Sequence, residues 1–294
     1  MSTLITDFYK LPEASCTTLE DADLLSDGNK IKSVSYHPSP ATSSPKPTTL
    51  VFSPGRSSKV TDLYNASFLA GYGKVSSIVA FSPSAAKQKS IVNRVSIFRA
   101  MLTQPHLQDV VAFGGHSFGA KAAIRGTYFS PVKRIVCFAY VLHRDMDVES
   151  RVLDFINLDE KTEVLFLIGE EDATCTLSIL TRVRSMMKAK TWYVRLEGMS
   201  HHMNHRKWDQ TARNAVCSFA GYIAAKWVTQ GSDDELTEAC INWDEGPKKI
   251  VWGGWQAPKP KAAGEGLGCL FPGWKESVCT EIVECTSNKK RRLE

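Results

Sequence analysis

The chain has 294 residues, enough for one large α/β domain or two small ones. Its hydrophobic content of 43% and charged content of 23% are ordinary for a globular protein, and no apolar run reaches the roughly 18 residues that a membrane span needs. The net charge is +5, and residues 246–294 hold nine Lys/Arg against five Asp/Glu. The rest of the chain is therefore close to neutral, which excludes a broad basic face for nucleic acid.

Cysteine usage and the first residues indicate the compartment. The first seven residues show no basic segment followed by an apolar core, and the eight cysteines contain no Cys-x-x-Cys. We therefore expect an intracellular protein, cytoplasmic or nuclear, with Cys137 and Cys217 as buried thiols. The spacing of Cys269, Cys279 and Cys285 fits no zinc pattern, so we expect neither a metal nor a cofactor.

Hydrophobic periodicity predicts alternating strands and helices, whereas residues 1–30 carry little pattern and residues 38–47 read as a loop. The predicted strands are 31–37, 48–52, 75–81, the strand that starts at 110, 132–142, 163–168 and 191–196. The predicted helices are 62–72, 90–102, one that follows residue 117, 148–156, 177–187 and 208–228. This alternation predicts a mostly parallel sheet covered on both faces, with ligands bound beyond the carboxyl ends of its strands.

One stretch organises this pattern. Residues 110–123, VVAFGGHSFGAKAA, read as a buried strand, then Gly-x-Ser-x-Gly, then a helix of small residues. This is the pattern of the nucleophile elbow in α/β-hydrolases, with Ser117 on a sharp strand-to-helix turn. Gly115 and Gly119 flank it because a side chain at either position would collide with the neighbouring strand or helix. The alternative is a structural serine in a tight turn.

A serine nucleophile needs a base, and the base needs a carboxylate that fixes its tautomer. In α/β-hydrolases the chain order is serine, acid, histidine. Asp172 lies 55 residues after Ser117 and His201 lies 29 residues after Asp172, each just past a predicted strand. We therefore predict that these three residues form a catalytic triad.

Alternatives remain open at both partners of the serine. Glu170 and Glu171 compete for the role of the acid, and Asp172 could instead cap the helix that follows it. His202 and His205 compete with His201 as the base. His116, inside the elbow, is expected to line the site or to pack rather than to act as a base.

The oxyanion hole of such a site needs two N–H donors. One should be the amide of Phe118, and the other should come from the loop after residue 52, at Gly55 or Arg56, because Pro54 has no N–H. Arg56 could also bind an anionic group of the substrate, and the simpler alternative is an exposed arginine without such a role. About 20 residues separate the strands that end at 142 and start at 163, which leaves no room for a lid domain, so we expect an open site for a small acyl substrate.

The pattern changes after residue 228. We divide the chain into an N-terminal extension (1–30), an α/β domain (31–230) and an irregular C-terminal extension (231–294) that is rich in Gly and Pro and holds four of the seven tryptophans: Trp243, Trp252, Trp255 and Trp274. These tryptophans either pack back on the body or dock a protein partner. The basic cluster at 289–292 could be a nuclear-localisation signal or a solvated terminus.

Three segments join the elbow in a family resemblance: VLFLIGEEDATC at 164–175, EGMSH at 197–201 and IVCFAYVLH at 135–143. Over residues 48–226 the chain resembles the α/β-hydrolase-like family that includes subunit 3 of the NSL histone-acetyltransferase complex and a small testis-expressed relative. The resemblance implies an α/β-hydrolase fold and puts Ser117, Asp172 and His201 on the family's triad positions. The chain departs from the family at residues 53–55, Ser-Pro-Gly, where relatives tend to have His-Gly.

Three functions follow as hypotheses. The leading one is a serine hydrolase that cleaves a small ester, thioester or amide through an acyl-enzyme. The second is a non-catalytic interaction module that binds a protein partner through the C-terminal extension, in a nuclear or chromatin-associated complex. The third is a small-molecule receptor that keeps the pocket without turnover.

Overall fold

The computed structural model describes residues 3–21, 31–39, 49–82, 89–104, 107, 109–143, 148–231 and 233–258. The chain divides into two compact units, Met1–Pro258 and Lys259–Glu294, and all described residues belong to the first. Trp274, the three C-terminal cysteines and the basic cluster at 289–292 lie outside the described residues.

The described residues form ten strands and seven helices. The strands are β1 (Ser15–Asp21), β2 (Ile31–His37), β3 (Thr49–Ser53), β4 (Ser77–Ser82), β5 (Val110–His116), β6 (Arg134–Phe138), β7 (Glu163–Gly169), β8 (Lys190–Leu196), β9 (Glu238–Asp244) and β10 (Lys249–Trp252). The helices are α1 (Thr3–Lys10), α2 (Leu63–Gly73), α3 (Ile91–Met101), α4 (Phe118–Thr127), α5 (Val148–Ile156), α6 (Leu177–Met186) and α7 (Gln210–Gln230).

The strands make one sheet in the order β1-β2-β4-β3-β5-β6-β7-β8-β9-β10. The strands from β4 to β9 in this order are mutually parallel, whereas β1, β2 and β10 pair antiparallel with their neighbours. The chain leaves β3 for β4 on one side and then returns to β5 on the other side. The carboxyl ends of β3 and β5 therefore flank the switch point at which ligands bind in open α/β sheets.

Helices cover both faces of the sheet, and the central strands are therefore buried on both sides. On one face Phe68 of α2 stacks on Phe138 of β6, with ring centroids 4.7 Å apart, and α7 lies in the same apolar cluster. On the other face Phe98 of α3 contacts Phe81 of β4 at 5.0 Å and Phe113 of β5 at 4.8 Å. A mostly parallel sheet with helices on both faces is the architecture that the sequence predicts.

The connection between β6 and β7 fits the expectation of an open site. Its described residues, 139–143 and 148–162, contain α5 and no lid domain. The strand β6 ends at Phe138, earlier than predicted, because Ala139 turns out of the extended conformation with a φ of 48°. Across the described stretches, the helices all fall short of the length and apolar character that a membrane crossing requires.

Both ends of the first unit differ from the sequence-based expectation. The prediction of irregular structure after residue 231 is wrong for β9 and β10, because β9 pairs parallel with β8 and β10 pairs antiparallel with β9. Ile241, Ile250 and Trp252 on these strands are buried in the core. At the other end α1 packs Phe8 against Phe219 of α7, with ring centroids 5.2 Å apart. The C-terminal strands are thus part of the sheet itself.

The tryptophans of this segment pack on the body. Trp252 contacts Phe219 at 5.8 Å and Trp255 at 5.7 Å between ring centroids. Trp243 and Trp255 lie half-buried against the same core. Of the two expectations for these residues, packing on the body is the one that the described residues show.

Candidate active site

Ser117 stands between β5 and α4 in a strained conformation. Its φ is 53° and its ψ is −114°, a region that residues with a side chain rarely adopt. Its backbone N–H donates to the carbonyl oxygen of Phe138 at 2.9 Å, which ties the turn to the end of β6. The turn therefore presents the serine hydroxyl above the carboxyl edge of the sheet.

The two glycines beside the serine are required by close backbone packing. A Cβ atom on Gly115 would lie 2.3 Å from the carbonyl carbon of Gly119, and one on Gly119 would lie 1.9 Å from the carbonyl oxygen of Ser53. No heavy atom can approach that closely, so both positions exclude a side chain. The second contact also fixes the start of α4 against the end of β3.

The structure brings Ser117, His201 and Asp172 into one hydrogen-bonded row. Ser117 Oγ lies 3.0 Å from His201 Nε2, and His201 Nδ1 lies 2.9 Å from Asp172 Oδ2. Since the carboxylate can only accept, Nδ1–H donates to Asp172 and Nε2 is free to accept from the serine hydroxyl. The Asp172 side chain is fully buried, and the histidine ring is exposed only at its edge toward the cleft.

Thr174 completes the surroundings of the acid. Its backbone N–H and its hydroxyl donate to Asp172 Oδ1 at 2.8 Å and 2.7 Å, and its hydroxyl lies 3.1 Å from His201 Nδ1. Burial opposes ionisation of Asp172, but the hydrogen bonds and charge of His201 and the hydrogen bonds of Thr174 outweigh it and hold the pKa of this carboxyl below its usual range. Asp172 is therefore an ionised partner for the imidazole at neutral pH.

The competing acids are engaged elsewhere. Glu170 pairs with Arg195 at 3.2 Å, and Glu171 pairs with Arg206 at 3.5 Å. The alternative that Asp172 caps α6 is also absent, because the N-cap of α6 is Thr176 and no side chain makes a cap hydrogen bond there.

The competing histidines lie to the side of the row. His202 is exposed on the cleft, with its ring centroid 5.1 Å from that of His201. His205 stacks on Trp208 at 3.8 Å, and its Nδ1 accepts the backbone N–H groups of Lys207 and Trp208, each at 3.1 Å. The histidine bonded to both serine and acid is His201.

His116 packs within the site, as the sequence predicts. The residue is buried, its Nε2–H donates to the carbonyl oxygen of His201 at 3.4 Å, and its ring lies 4.9 Å from that of Tyr64. Burial, with a contribution from the nearby His201, lowers the pKa of His116 to about 3. His116 is therefore neutral, and its hydrogen bond holds the backbone of His201 in place.

The predicted oxyanion residues line the same cleft as Ser117. Gly55, Arg56 and Phe118 all face a cavity of about 790 Å³. A Cβ atom on Gly55 would lie 2.9 Å from Nδ1 of His116, so the loop after β3 packs directly on the elbow strand. Their assignment as donors stays a prediction.

Arg94 of α3 holds the loop after β3 in place through hydrogen bonds. The side chain is fully buried, and its Nη1 donates to Ser53 Oγ at 2.7 Å and to the carbonyl oxygen of Pro54, while Nη2 donates to the carbonyl oxygen of Gly55 at 2.9 Å. Burial lowers the pKa of Arg94 to about 10, which still leaves it charged at neutral pH.

Sequence reasoning missed Thr174 and Arg94. A signal existed for Arg94, because it lies three residues after Ile91 and four before Phe98, on the apolar stripe of a predicted helix. A lone arginine on such a stripe must find acceptors inside the protein. Thr174 had no comparable signal, since a threonine two residues after an acid occurs in many turns.

Comparison with known proteins supports the fold. No family model matches the sequence, and no curated protein sequence matches it either. The structure is similar to dienelactone hydrolase from Anabaena variabilis, with a TM-score of 0.55 and 12% identity over 72% of this chain and 96% of that one. It is also similar to Est1E from Butyrivibrio proteoclasticus, with a TM-score of 0.52 and 11% identity over 74% and 99%.

A third solved structure gives the same result. An alpha-beta serine hydrolase homologue from Coxiella burnetii matches with a TM-score of 0.52 and 14% identity over 71% of this chain and 96% of that one. At such low identity these similarities establish the α/β-hydrolase fold of the chain, and the fold by itself hosts many functions.

Proposed function

We propose that this protein is a serine hydrolase that cleaves a small ester, thioester or amide through an acyl-enzyme. The observation that carries the proposal is the row of hydrogen bonds from Ser117 Oγ through the imidazole of His201 to the carboxylate of Asp172. A serine hydroxyl becomes an effective nucleophile when a positioned base accepts its proton.

In the first half of the reaction, His201 Nε2 accepts the hydroxyl proton while Ser117 Oγ attacks the carbonyl carbon. The carbonyl oxygen takes the negative charge, and the N–H groups of Phe118 and of Gly55 or Arg56 donate to it. His201 then gives its proton to the leaving alcohol, thiol or amine as the carbon–heteroatom bond breaks.

In the second half, water replaces the leaving group. His201 accepts a proton from the water, the hydroxide attacks the acyl carbon, and the proton returns to Ser117 Oγ as the free acid departs. Asp172 stays ionised in both halves, accepts the hydrogen bond from Nδ1–H, and stabilises the imidazolium through that bond.

Two further observations favour the proposal. The site lies at the switch point of the sheet, where Ser117 follows β5 and Gly55 follows β3. The solved structures of similar fold include proteins named as a dienelactone hydrolase, an esterase domain and a serine hydrolase homologue. The proposal includes an intracellular location and membership of the family of NSL complex subunit 3.

The proposal is tested with a fluorophosphonate probe, which reacts with an activated serine. We expect labelling of the parent and none of Ser117→Ala, together with a fall of roughly 10³-fold or more in hydrolysis of a p-nitrophenyl ester. Ser185→Ala is the matched control, because this serine on α6 is exposed and, among the described residues, its hydroxyl donates to the carbonyl oxygen of Arg182. A folded parent that neither reacts with the probe nor hydrolyses the ester would refute the proposal.

A further inference from the structure

The cleft around Ser117 is lined mainly by positive charge. Among the described residues that line it, four carry a cation and one carries a carboxylate. The cationic residues are Arg56, Lys89, Lys121 and Arg151, and the carboxylate is that of Asp62. This differs from residues 1–245 as a whole, whose net charge is +1.

Arg56 and Lys89 are the two cations that are exposed to the cleft. Among the described residues, neither has a carboxylate within the 4.0 Å of an ion pair. Other basic side chains of the described chain do: Arg125 pairs with Asp154, Arg134 with Glu163, and Arg184 with Glu238. The two cleft cations therefore keep their charge for a ligand.

Arg56 is held close to the nucleophile. Its guanidinium carbon lies 5.9 Å from the ring centroid of Phe118, the residue directly after Ser117. A cation over the face of an aromatic ring is attracted by the ring quadrupole, which limits where this long side chain points. The guanidinium therefore lies against the residue that follows the nucleophile, in the wall of the cleft that Ser117 also lines.

The buried surroundings add to the positive potential. The helix α4 begins beside Ser117, and its N-terminus carries a partial positive charge. No acidic residue lies in the first turn of α4, and the buried Lys121 lies there instead. The one lining carboxylate, Asp62, already accepts the backbone N–H of Lys59 at 2.8 Å. The positive side chains and the dipole of α4 thus both favour the binding of an anion in the cleft.

We propose that the preferred substrate is an ester whose acyl part carries a carboxylate, which Arg56 and Lys89 bind while Ser117 attacks the ester carbonyl. The attack itself rests on the proposed function, but the binding of the carboxylate does not. An acyl part stays attached to Ser117 from the first half of the reaction to the second, so its carboxylate stays inside the cleft that the two cations line. The planar guanidinium of Arg56 suits a carboxylate because both can form two parallel hydrogen bonds.

The turnover experiment compares two esters of equal chain length, the p-nitrophenyl hemiester of adipic acid and p-nitrophenyl hexanoate, after subtraction of spontaneous hydrolysis. We expect kcat/KM to be about tenfold higher for the hemiester at low salt, because a partly desolvated cleft with two cations strengthens an ion pair. Arg56→Gln and Lys89→Gln should each lower this preference by roughly threefold to fivefold. Arg99→Gln, an exposed cation on the outer side of α3, is the matched control and should leave the preference unchanged.

A binding experiment separates this inference from the proposed function. Ser117→Ala should bind monomethyl adipate more tightly than methyl hexanoate in a titration followed by NMR, and the difference should shrink at high salt. A charge preference in binding without any turnover by the parent would refute the hydrolase and support the carboxylate-binding cleft. Turnover with equal kcat/KM for the two p-nitrophenyl esters, or equal affinity for the two methyl esters, would overturn the carboxylate-binding cleft.

Discussion

At the scale of single residues, the two buried histidines of the site have opposite tasks. His201 bonds to a serine and an ionised carboxylate, so its surroundings accommodate a positive charge. His116, whose ring centroid lies 5.6 Å away, is buried and neutral, with its pKa lowered to about 3 by burial first and by its neighbour second. Of these two histidines, His201 is therefore the one that can accept the proton of Ser117.

The low pKa of His116 predicts a dependence of stability on pH. An unfolded histidine titrates near about 6.5, so below that pH the unfolded chain binds a proton that the folded chain refuses until about pH 3. The stabilisation is present above the unfolded pKa and is lost as the pH falls from about 6.5 toward 3, by up to about 1.4 kcal/mol per pH unit. His116→Gln removes this titration while an amide N–H can still donate to the carbonyl oxygen of His201.

We therefore expect the free energy of unfolding of the parent to fall, between pH 7 and pH 5, by about 2 kcal/mol more than that of His116→Gln. Denaturant unfolding at the two pH values measures the difference. Ser117→Ala, which retains His116, serves as the control and should follow the parent. Identical pH dependence in the parent and His116→Gln would show that His116 is not held neutral.

The placement of the candidate site residues could be predicted where chain order and strand ends constrain it. Ser117, Asp172 and His201 each follow a strand of a parallel sheet, so their meeting at one edge follows from topology. The partners that refine the site could not be predicted in this way. Thr174 reaches Asp172 through a turn of three residues, and Arg94 reaches the loop after β3 from another helix, so both contacts depend on side-chain packing that periodicity does not encode.

At the scale of elements, α3 positions the loop after β3 through one side chain. Arg94 donates to Ser53, Pro54 and Gly55, three consecutive residues of the loop that should supply an oxyanion donor. Without the guanidinium, two carbonyl oxygens and a hydroxyl would lose their donor inside the protein. A hydrogen bond that involves a charged group contributes about 1.5–3 kcal/mol.

Arg94→Met keeps an unbranched apolar stem but removes every donor. It should lower kcat for a p-nitrophenyl ester by roughly 10- to 100-fold with a smaller change in KM, since a displaced oxyanion donor acts mainly on the transition state. Arg94→Lys keeps one donor group and should retain more of kcat. The control is Arg99→Met on the same helix, where the side chain is exposed. If Arg94→Met lowers only the melting temperature and leaves kcat intact, the loop does not depend on this contact.

Elements of the central sheet could be predicted because long apolar strands alternate with amphipathic helices between residues 49 and 230. Of the outer elements, β2 at residues 31–37 could be predicted, whereas α1, β1, β9 and β10 could not be. Along β9, the buried Ala239 and Ile241 alternate with partly exposed residues. The strand is preceded by acidic and polar residues, however, which are typical of a loop at the end of a domain. Its place beside β8 is fixed by pairing with a strand more than 40 residues earlier, which local pattern does not reveal.

At the scale of the whole molecule, the last two strands of the sheet are an integral part of the first compact unit. The strands β9 and β10 cover the edge of β8 and add Ile241, Ile250 and Trp252 to the core that α7 forms on one face. Burying one large apolar side chain contributes about 1.5–3 kcal/mol, whereas a whole domain is stable by only about 5–15 kcal/mol. Loss of these three residues would remove an amount comparable to the entire net stability, and it would also expose an apolar strand edge that favours aggregation.

Two truncations test this boundary against the one that composition suggests. A chain that ends at Pro258 keeps every strand of the sheet, so we expect cooperative unfolding and a melting temperature within a few degrees of the parent. A chain that ends at Gly231 loses β9 and β10, and we expect it to aggregate or to lose its cooperative transition in calorimetry. If the shorter chain unfolds cooperatively at the parent's temperature, the C-terminal strands are an accessory. If the chain that ends at Pro258 loses a protein partner that the full chain retains in a pull-down, while it still hydrolyses a p-nitrophenyl ester, residues 259–294 carry that interaction independently of Ser117.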